Sequence, residues 1–220
     1  NYSAEIANAI KSYIKEDDWH FSFDEETGLF RFGLSLSSKI KKINYIVDVK
    51  EDQYIVYAIA PIGADEEDKK MMATMAEFVC RTNYGLKNGN FELDMRDGEV
   101  RFKCFVDCEG ITPSKDMVEN SIHCPAAMFK RYGSGIVDII FGNATAKEAV
   151  EKCEKATEDE MRSLLSELME GEGGSEFSEM LAKLAERLDM PEDGDDESPD
   201  TGCVPAMIKT DLFGTEGDDE

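Results

Sequence analysis

Histidine is nearly absent from this chain: its 220 residues hold two, His20 and His123. Chemistry built on imidazole therefore has little material to work with. His123 is followed by Cys124, but adjacency is not a ligand set, because zinc wants three or four ligands. A nucleophilic Cys124 with His123 as its base is a conceivable pair. Neighbours in sequence do not face each other on a helix, which argues against it. Bases are scarce too, with 24 Lys and Arg against 48 Asp and Glu, a formal charge of −24. Such a surface repels phosphate backbones, so nucleic acid is not expected as a partner. Anionic membrane surfaces are disfavoured for the same reason. Long hydrophobic runs are missing as well. Outside the strand-like segments the longest is Ile136 to Phe141, far short of the ~20 residues of a membrane span. No membrane partner is expected.

Cysteine is dilute: Cys80, Cys104, Cys108, Cys124, Cys153 and Cys203. A chain of this length does not need a disulfide scaffold, and reduced thiols are the simple reading. Cys104 and Cys108 fall on one strand-like segment. Four residues of extended chain span about 13 Å, beyond the ~7 Å between Cα atoms that a disulfide allows. No phosphate-cradling loop of Gly and Lys is present. Gly133-Ser134-Gly135 follows a helical stretch rather than a strand, without a third glycine at fingerprint spacing. Carboxylates are everywhere, and nothing singles out a catalytic pair. No catalytic residue, cofactor or metal is expected. No signal peptide is visible at the start. The chain begins at Asn1 rather than Met, which leaves open whether a leader was removed. Asn143-Ala144-Thr145 fits a glycosylation sequon, but Asn143 reads better as the cap of the helix that follows. These features together suggest a cytoplasmic protein.

What is present is enough for a buried core: 41% of residues are hydrophobic, near the globular norm. Charge is unevenly placed. Residues 158–220 carry 21 acids and 4 bases, net −17, leaving 27 acids and 20 bases, net −7, for residues 1–157. The spacing of Ile6, Ile10, Tyr13 and Ile14 predicts a helix over 3–16 with Ser3 as N-cap. Trp19 to Phe23 alternates, and Glu26-Thr27-Gly28 makes a turn. In Leu29 to Leu36, Phe30, Phe32, Leu34 and Leu36 point one way and Arg31, Gly33 and Ser35 the other. Ile43 to Val49 and Tyr54 to Ala60 are two further strands. Their connections are too short for crossovers, so the four form an antiparallel meander.

Asp65 or a neighbour then caps a helix reaching about Asn83, with Met71, Met72, Met75, Phe78 and Val79 as its apolar stripe. Core packing is the simpler role for these methionines; an adaptable binding surface is the other. Phe91, Leu93 and Met95 alternate with acids up to a hairpin turn at Arg96-Asp97-Gly98. Val100, Phe102, Cys104 and Val106 form the returning strand's apolar face.

From Thr112 the pattern is helical. Met117, Ile122, Met128 and Phe129 are candidate core positions. A kink or a fresh start is expected at Pro125, and a loosened turn at Gly133-Ser134-Gly135. Helix resumes over Ala146 to Lys155. Residues 158–170 form a further amphipathic piece carrying Met161, Leu164, Leu165 and Leu168. Gly171 to Gly174 is a joint. Phe177, Met180, Leu181, Leu184 and Leu188 then give another helical stripe, to be covered by its own domain, the simpler option, or across a dimer or in a partner groove. Residues 191–200 read as disordered in isolation. Cys203 to Phe213, with Met207, Ile208, Leu212 and Phe213, is an apolar island in the acidic tail. These nine residues, Phe177 through Phe213, are the candidate partner-binding positions.

The element order and three motifs resemble the bacterial YbjN-type domain family, whose fold is similar to the type III secretion chaperones. The motifs are Arg81-Thr82-Asn83-Tyr84-Gly85-Leu86, Gly89-Asn90-Phe91-Glu92-Leu93-Asp94 and Asp97-Gly98-Glu99-Val100-Arg101. Segment 113–142, closing in Ile136-Val137-Asp138-Ile139-Ile140, also fits. The resemblance spans about residues 1–155. It implies a curved antiparallel sheet flanked by helices, paired as a homodimer, that regulates or chaperones by binding protein segments.

The expectation is an α+β domain over 1–155 with a six-strand antiparallel sheet. A helical extension over 156–190 and an acidic, flexible tail over 191–220 follow. The expected function is a non-enzymatic regulator or chaperone whose partner is a protein or peptide segment, buried on the sheet or between helices. The rival is a small-ligand binder or enzyme with a pocket between helix 113–142 and the sheet.

Overall fold

Alternation of apolar and polar residues builds the centre of the molecule, a six-stranded antiparallel sheet. In this computed structural model the described residues are 1–16 and 18–170, and the described part up to Glu167 forms one compact unit. The strands are β1 (Phe21–Asp24), β2 (Leu29–Ser35), β3 (Lys42–Val49), β4 (Gln53–Ile59), β5 (Asn90–Leu93) and β6 (Val100–Asp107). The helices are α1 (Ala4–Glu16), α2 (Lys69–Asn83), α3 (Lys115–Ile140) and α4 (Ala146–Glu170). Strand order is β1-β2-β3-β4-β6-β5, every neighbour pair antiparallel. The expected meander is therefore present, and the hairpin joins it through its second strand. No described helix is long and apolar enough to cross a membrane.

Period-two burial gives the sheet one packed face. Phe30, Tyr45, Val47, Tyr54, Val56, Phe102 and Cys104 point inward and are buried almost completely. Each fully buried phenylalanine on this face contributes roughly 1.5–3 kcal/mol relative to an exposed one. α3 lies across this face. The Tyr45 hydroxyl donates to the Ile122 carbonyl at 2.7 Å, the Tyr54 hydroxyl sits 3.0 Å from Ser121 Oγ, and Phe91 meets Phe129 edge-on at 5.4 Å. Tyr2, just ahead of α1, and Lys11 of α1 both contact Phe23, and Tyr13 of α1 bonds His123 of α3.

Helix ends follow side-chain chemistry. The Ser3 hydroxyl caps α1 by accepting from the Ile6 N–H at 3.3 Å. Asp68 rather than Asp65 caps α2, its Oδ1 accepting from the N–H groups of Lys70 and Met71. The expected cap at Asn143 is corrected to Thr145. Thr145 Oγ1 accepts from the Glu148 N–H at 3.3 Å, and Glu148 Oε2 accepts from the Thr145 N–H at 2.8 Å, a reciprocal capping box.

α3 also differs from expectation. It runs unbroken through Pro125, so no fresh helix starts there. The proline removes the donor for the Ser121 carbonyl. In the same turn the buried Tyr45 hydroxyl reaches in to the Ile122 carbonyl. Gly133 and Gly135 do not loosen the helix; they let it come close to its neighbours. A Cβ at Gly135 would lie 2.6 Å from the Phe78 ring and 3.1 Å from Cys153 Sγ. Residues 158–170 are not a separate piece but the continuation of α4, with Met161 exposed. Nearby, buried Asp138 of α3 joins Lys39 at 2.9 Å and Lys152 of α4 at 2.6 Å. Hydrogen bonds from Lys152 and then Lys39 hold its carboxyl below the ordinary carboxylate value.

The predicted turn at Arg96-Asp97-Gly98 joins β5 to β6. Gly98 has φ +73°, and its N–H bonds the Asp94 carbonyl at 2.8 Å. Its own carbonyl accepts from the Ala64 N–H at 3.0 Å, so the turn is stitched to the segment leading into α2. At the outer margin of β5, the Asn83 side chain accepts from the Phe91 N–H at 2.8 Å and donates to the Phe91 carbonyl at 2.9 Å.

Candidate functional site

The candidate site is the other face of the sheet, opposite the one that the described α1 and α3 contacts cover. Its residues alternate with the core set, so their register is fixed by the same pairing. Ile46 stands opposite Tyr57, and Tyr57 opposite Lys103. Asp48 stands opposite Ile55, and Ile55 opposite Phe105. Ile59 stands between Asn44 and Arg101. Ile46, Ile55, Tyr57 and Ile59 are half-buried by one another, and Phe105 is 52% exposed. The result is a continuous apolar strip across β3, β4 and β6. The hydrogen bonds and ring contacts that α1 and α3 make with the sheet fall on the opposite, buried face.

Charge borders the strip in paired form. Glu92 of β5 bonds Arg101 at 2.8 Å and also bonds Lys103. Burial would raise the Glu92 carboxyl, but the Lys103 and Arg101 hydrogen bonds outweigh it and hold it below its ordinary value. The Arg101 guanidinium lies 4.6 Å from the centre of the Tyr57 ring. Asp48 is held by Lys50 at 2.8 Å, and Arg31 stays exposed. The strip is therefore apolar in the middle, with ion pairs at its margin, which is the anatomy of a surface that buries a partner's side chains.

The residues weighed from sequence fall elsewhere. His123 Nε2 lies 2.8 Å from the Tyr13 hydroxyl, its ring edge-on to Tyr13 and near Trp19. The Cys124 thiol instead lies 3.7 Å from the Asn88 carbonyl oxygen, so ring and thiol address different neighbours. His20 is exposed. Cys104 and Cys108 are both buried, and both are free thiols. Met72 and Met75 are core residues, while Met71 is partly covered. Phe177, Met180, Leu181, Leu184, Leu188, Met207, Ile208, Leu212 and Phe213 lie outside the described residues.

Clefts in the described surface are open ones. One of about 530 Å³ lies between Ser37–Lys39, α3 and α4, lined by Met128, Lys130, Arg131 and Cys153. Another of about 380 Å³ lies where the N-terminus of α2 meets the α3–α4 connection. The seam between α3 and the sheet, where a ligand pocket was the rival expectation, is occupied by Tyr45, Tyr54, Ile122 and Phe129. Among the described residues no group of three or more His, Cys, Asp or Glu side chains is placed to hold a metal ion.

Sequence reasoning offered the sheet or the space between helices for partner binding and did not pick out these residues. The signal was present: Tyr54 to Ala60 is apolar at nearly every position. That is the mark of a strand covered on both faces. Set against known proteins, the chain matches no family model and no curated protein.

Proposed function

We propose that this chain is a non-enzymatic binding module that receives an apolar, basic-flanked segment of another protein on the outward face of its sheet. The observation that carries this reading is the strip Ile46, Ile55, Tyr57, Ile59 and Phe105, apolar, contiguous and clear of the helices that pack on the opposite face. Covering Phe105 alone would remove apolar surface at about 25 cal/mol per Å². Charge selects the partner. A chain with 48 acids and 24 bases attracts a segment flanked by Lys or Arg and repels a second copy of itself. A homodimer, implied by the YbjN-type likeness, competes for the same face and is the rival occupant. The family's implied role in regulation or chaperoning, and a cytoplasmic setting, belong to this proposal.

Site-specific crosslinking tests it. A benzophenone amino acid replaces Phe105 on the strip and, separately, Glu119 on the exposed side of α3, and each protein is irradiated in extract of its source cells. Crosslinks from position 105 that are missing from position 119, land on an apolar segment with basic flanks, and vanish with Ile55→Lys support the proposal. Adducts to a second copy alone make the strip a self-association face and overturn it. Identical adducts from both positions overturn it as well.

A further inference from the structure

Three basic side chains gather in the cleft of about 530 Å³ between the β2–β3 connection, α3 and α4. Lys39 comes from the connection, and Lys130 and Arg131 come from α3. Glu160 of α4 is the one acid among the described lining residues. That excess of base reverses the balance of the whole chain, which has 24 bases and 48 acids. Neighbouring clefts lack it. At the N-terminus of α2, Lys70 is set against Asp68 and Glu148, and beside Tyr84, Arg81 and Lys147 are set against Glu151 and Glu154. A smaller cleft continues the basic one along α3, sharing Ser37, Ala127 and Lys130 with it and reaching His123.

Packing shapes this space. At Gly133 and Gly135, α3 lies so near its neighbours that an added Cβ would stand 3.2 Å from Ile40 and 3.1 Å from Cys153 Sγ. Ser134 between them lines the cleft, and Lys130 and Arg131 stand about one turn earlier on the same helix. Their charges are free to serve a ligand. Asp138 holds Lys152 at 2.6 Å as well as Lys39 at 2.9 Å, so Lys39 can turn away without leaving that carboxyl unpaired. Lys130 and Glu160 meet at 2.8 Å, but both are half-exposed, and such a pair contributes little. Arg131 is half-buried, its guanidinium carbon 5.0 Å from the centre of the Tyr132 ring. Its Nε is buried and has no hydrogen-bond partner among the described residues. A buried donor without an acceptor is costly, and an oxyanion in the guanidinium fork takes Nε and a terminal N–H together. Ala127, Met128 and Ala156 give the same space an apolar side.

We propose that this cleft binds a small organic anion, its phosphate or carboxylate head held by Arg131, Lys130 and Lys39 and its apolar body lying on Ala127, Met128 and Ala156. The space falls within the roughly 300–1,000 Å³ of small-ligand sites. Arg131 grips the head through two parallel N–H bonds, and the two lysines add point charges. The acidic surround repels a free ion, so apolar contact must add to charge, which favours an organic anion over an inorganic one. Phosphate and carboxylate share this recognition chemistry. The cleft lies among the helices and does not depend on what occupies the outward face of the sheet.

Amide shifts in proton–nitrogen correlation spectra of the full chain at pH 7 are followed during titration with phenyl phosphate, benzoate, inorganic phosphate and benzyl alcohol. Saturable shifts centred on residues 37–39, 130–134 and 157 are expected with phenyl phosphate, benzoate or both, and the tighter of the two identifies the head group. Arg131→Gln should weaken that binding about tenfold, the effect of losing a charge-assisted hydrogen-bonded pair. Arg131→Lys should recover only part of the loss, because it restores the charge without the fork. Lys87→Gln, at an exposed position away from the cleft, should change nothing. Should Arg131→Gln fail to fold, Lys130→Gln at an exposed position takes its place, with a severalfold loss expected. The proposal is overturned by no saturable shift with either organic anion at millimolar concentration, or by inorganic phosphate or benzyl alcohol binding as tightly as they do. Shifts scattered over other basic surface, or an equal loss from Lys87→Gln, overturn it too.

Discussion

Replacing Gly135 by alanine tests how α3 is seated against its neighbours. In an exposed helix the change would stabilise by about 1 kcal/mol, the helix-propensity difference between the two residues. Here the new methyl would stand 2.6 and 2.8 Å from two carbons of the Phe78 ring and 3.1 Å from Cys153 Sγ. Both neighbours are buried at 0% and 1% exposure, so neither can swing into solvent. Forcing a methyl into such a site costs about 1–3 kcal/mol. The net expectation is a loss near 1 kcal/mol, a fall in melting temperature of about 2–4 °C for a domain of this size. Gly133 supplies the control two residues away. A Cβ there meets the end of the Ile40 side chain at 3.2 Å, which can yield by a small rotation. Gly133→Ala should therefore keep part of the helix-propensity gain and be neutral or slightly stabilising. Urea unfolding followed by circular dichroism reads both midpoints. If Gly135→Ala is at least as stable as Gly133→Ala, the close approach inferred for this helix is wrong.

Asp138→Asn should cost about 1 kcal/mol at pH 7, a modest figure because Lys39 and Lys152 are half-exposed. The folded carboxyl titrates below its ordinary value of 3.8. Its contribution is therefore complete above that value and fades as pH falls through the lower folded one. Urea midpoints of the two proteins should converge between pH 7 and pH 3, and a gap unchanged at pH 3 would refute the ion-pair account. Thr145→Ala should lower stability by about 1 kcal/mol, and Asn143→Ala by a few tenths, because the capping box belongs to Thr145. Thermal melts giving equal losses would return the cap to Asn143.

The local grammar of this fold was legible where one residue type alternates against another. Phe30, Phe32 and Leu34 against Arg31, Gly33 and Ser35 declared β2, and Ile6, Ile10, Tyr13 and Ile14 declared α1. Pairwise facts between distant elements were not. Nothing in the hairpin residues says which of its strands adjoins β4, because both carry an apolar face. Gly133-Ser134-Gly135 reads as weak helix in isolation and becomes close packing only once Phe78 and Cys153 are brought beside it. The Thr145 cap was readable, since Glu148 stands three residues on; Asn143 competed because it too is a good capping residue. The candidate binding strip was half-visible. Ile46, Ile55 and Tyr57 looked like ordinary strand residues, and their shared face emerged only from the register.

The Asn83 amide held against Phe91 has a bearing on how copies of this protein could stack. It fills both main-chain bonding positions that a seventh strand would need at Phe91, as a short strand would. The sheet therefore has unequal ends, one plugged at this position by a side chain and the other formed by β1. An edge position filled in this way discourages another strand from adding at Phe91 of β5.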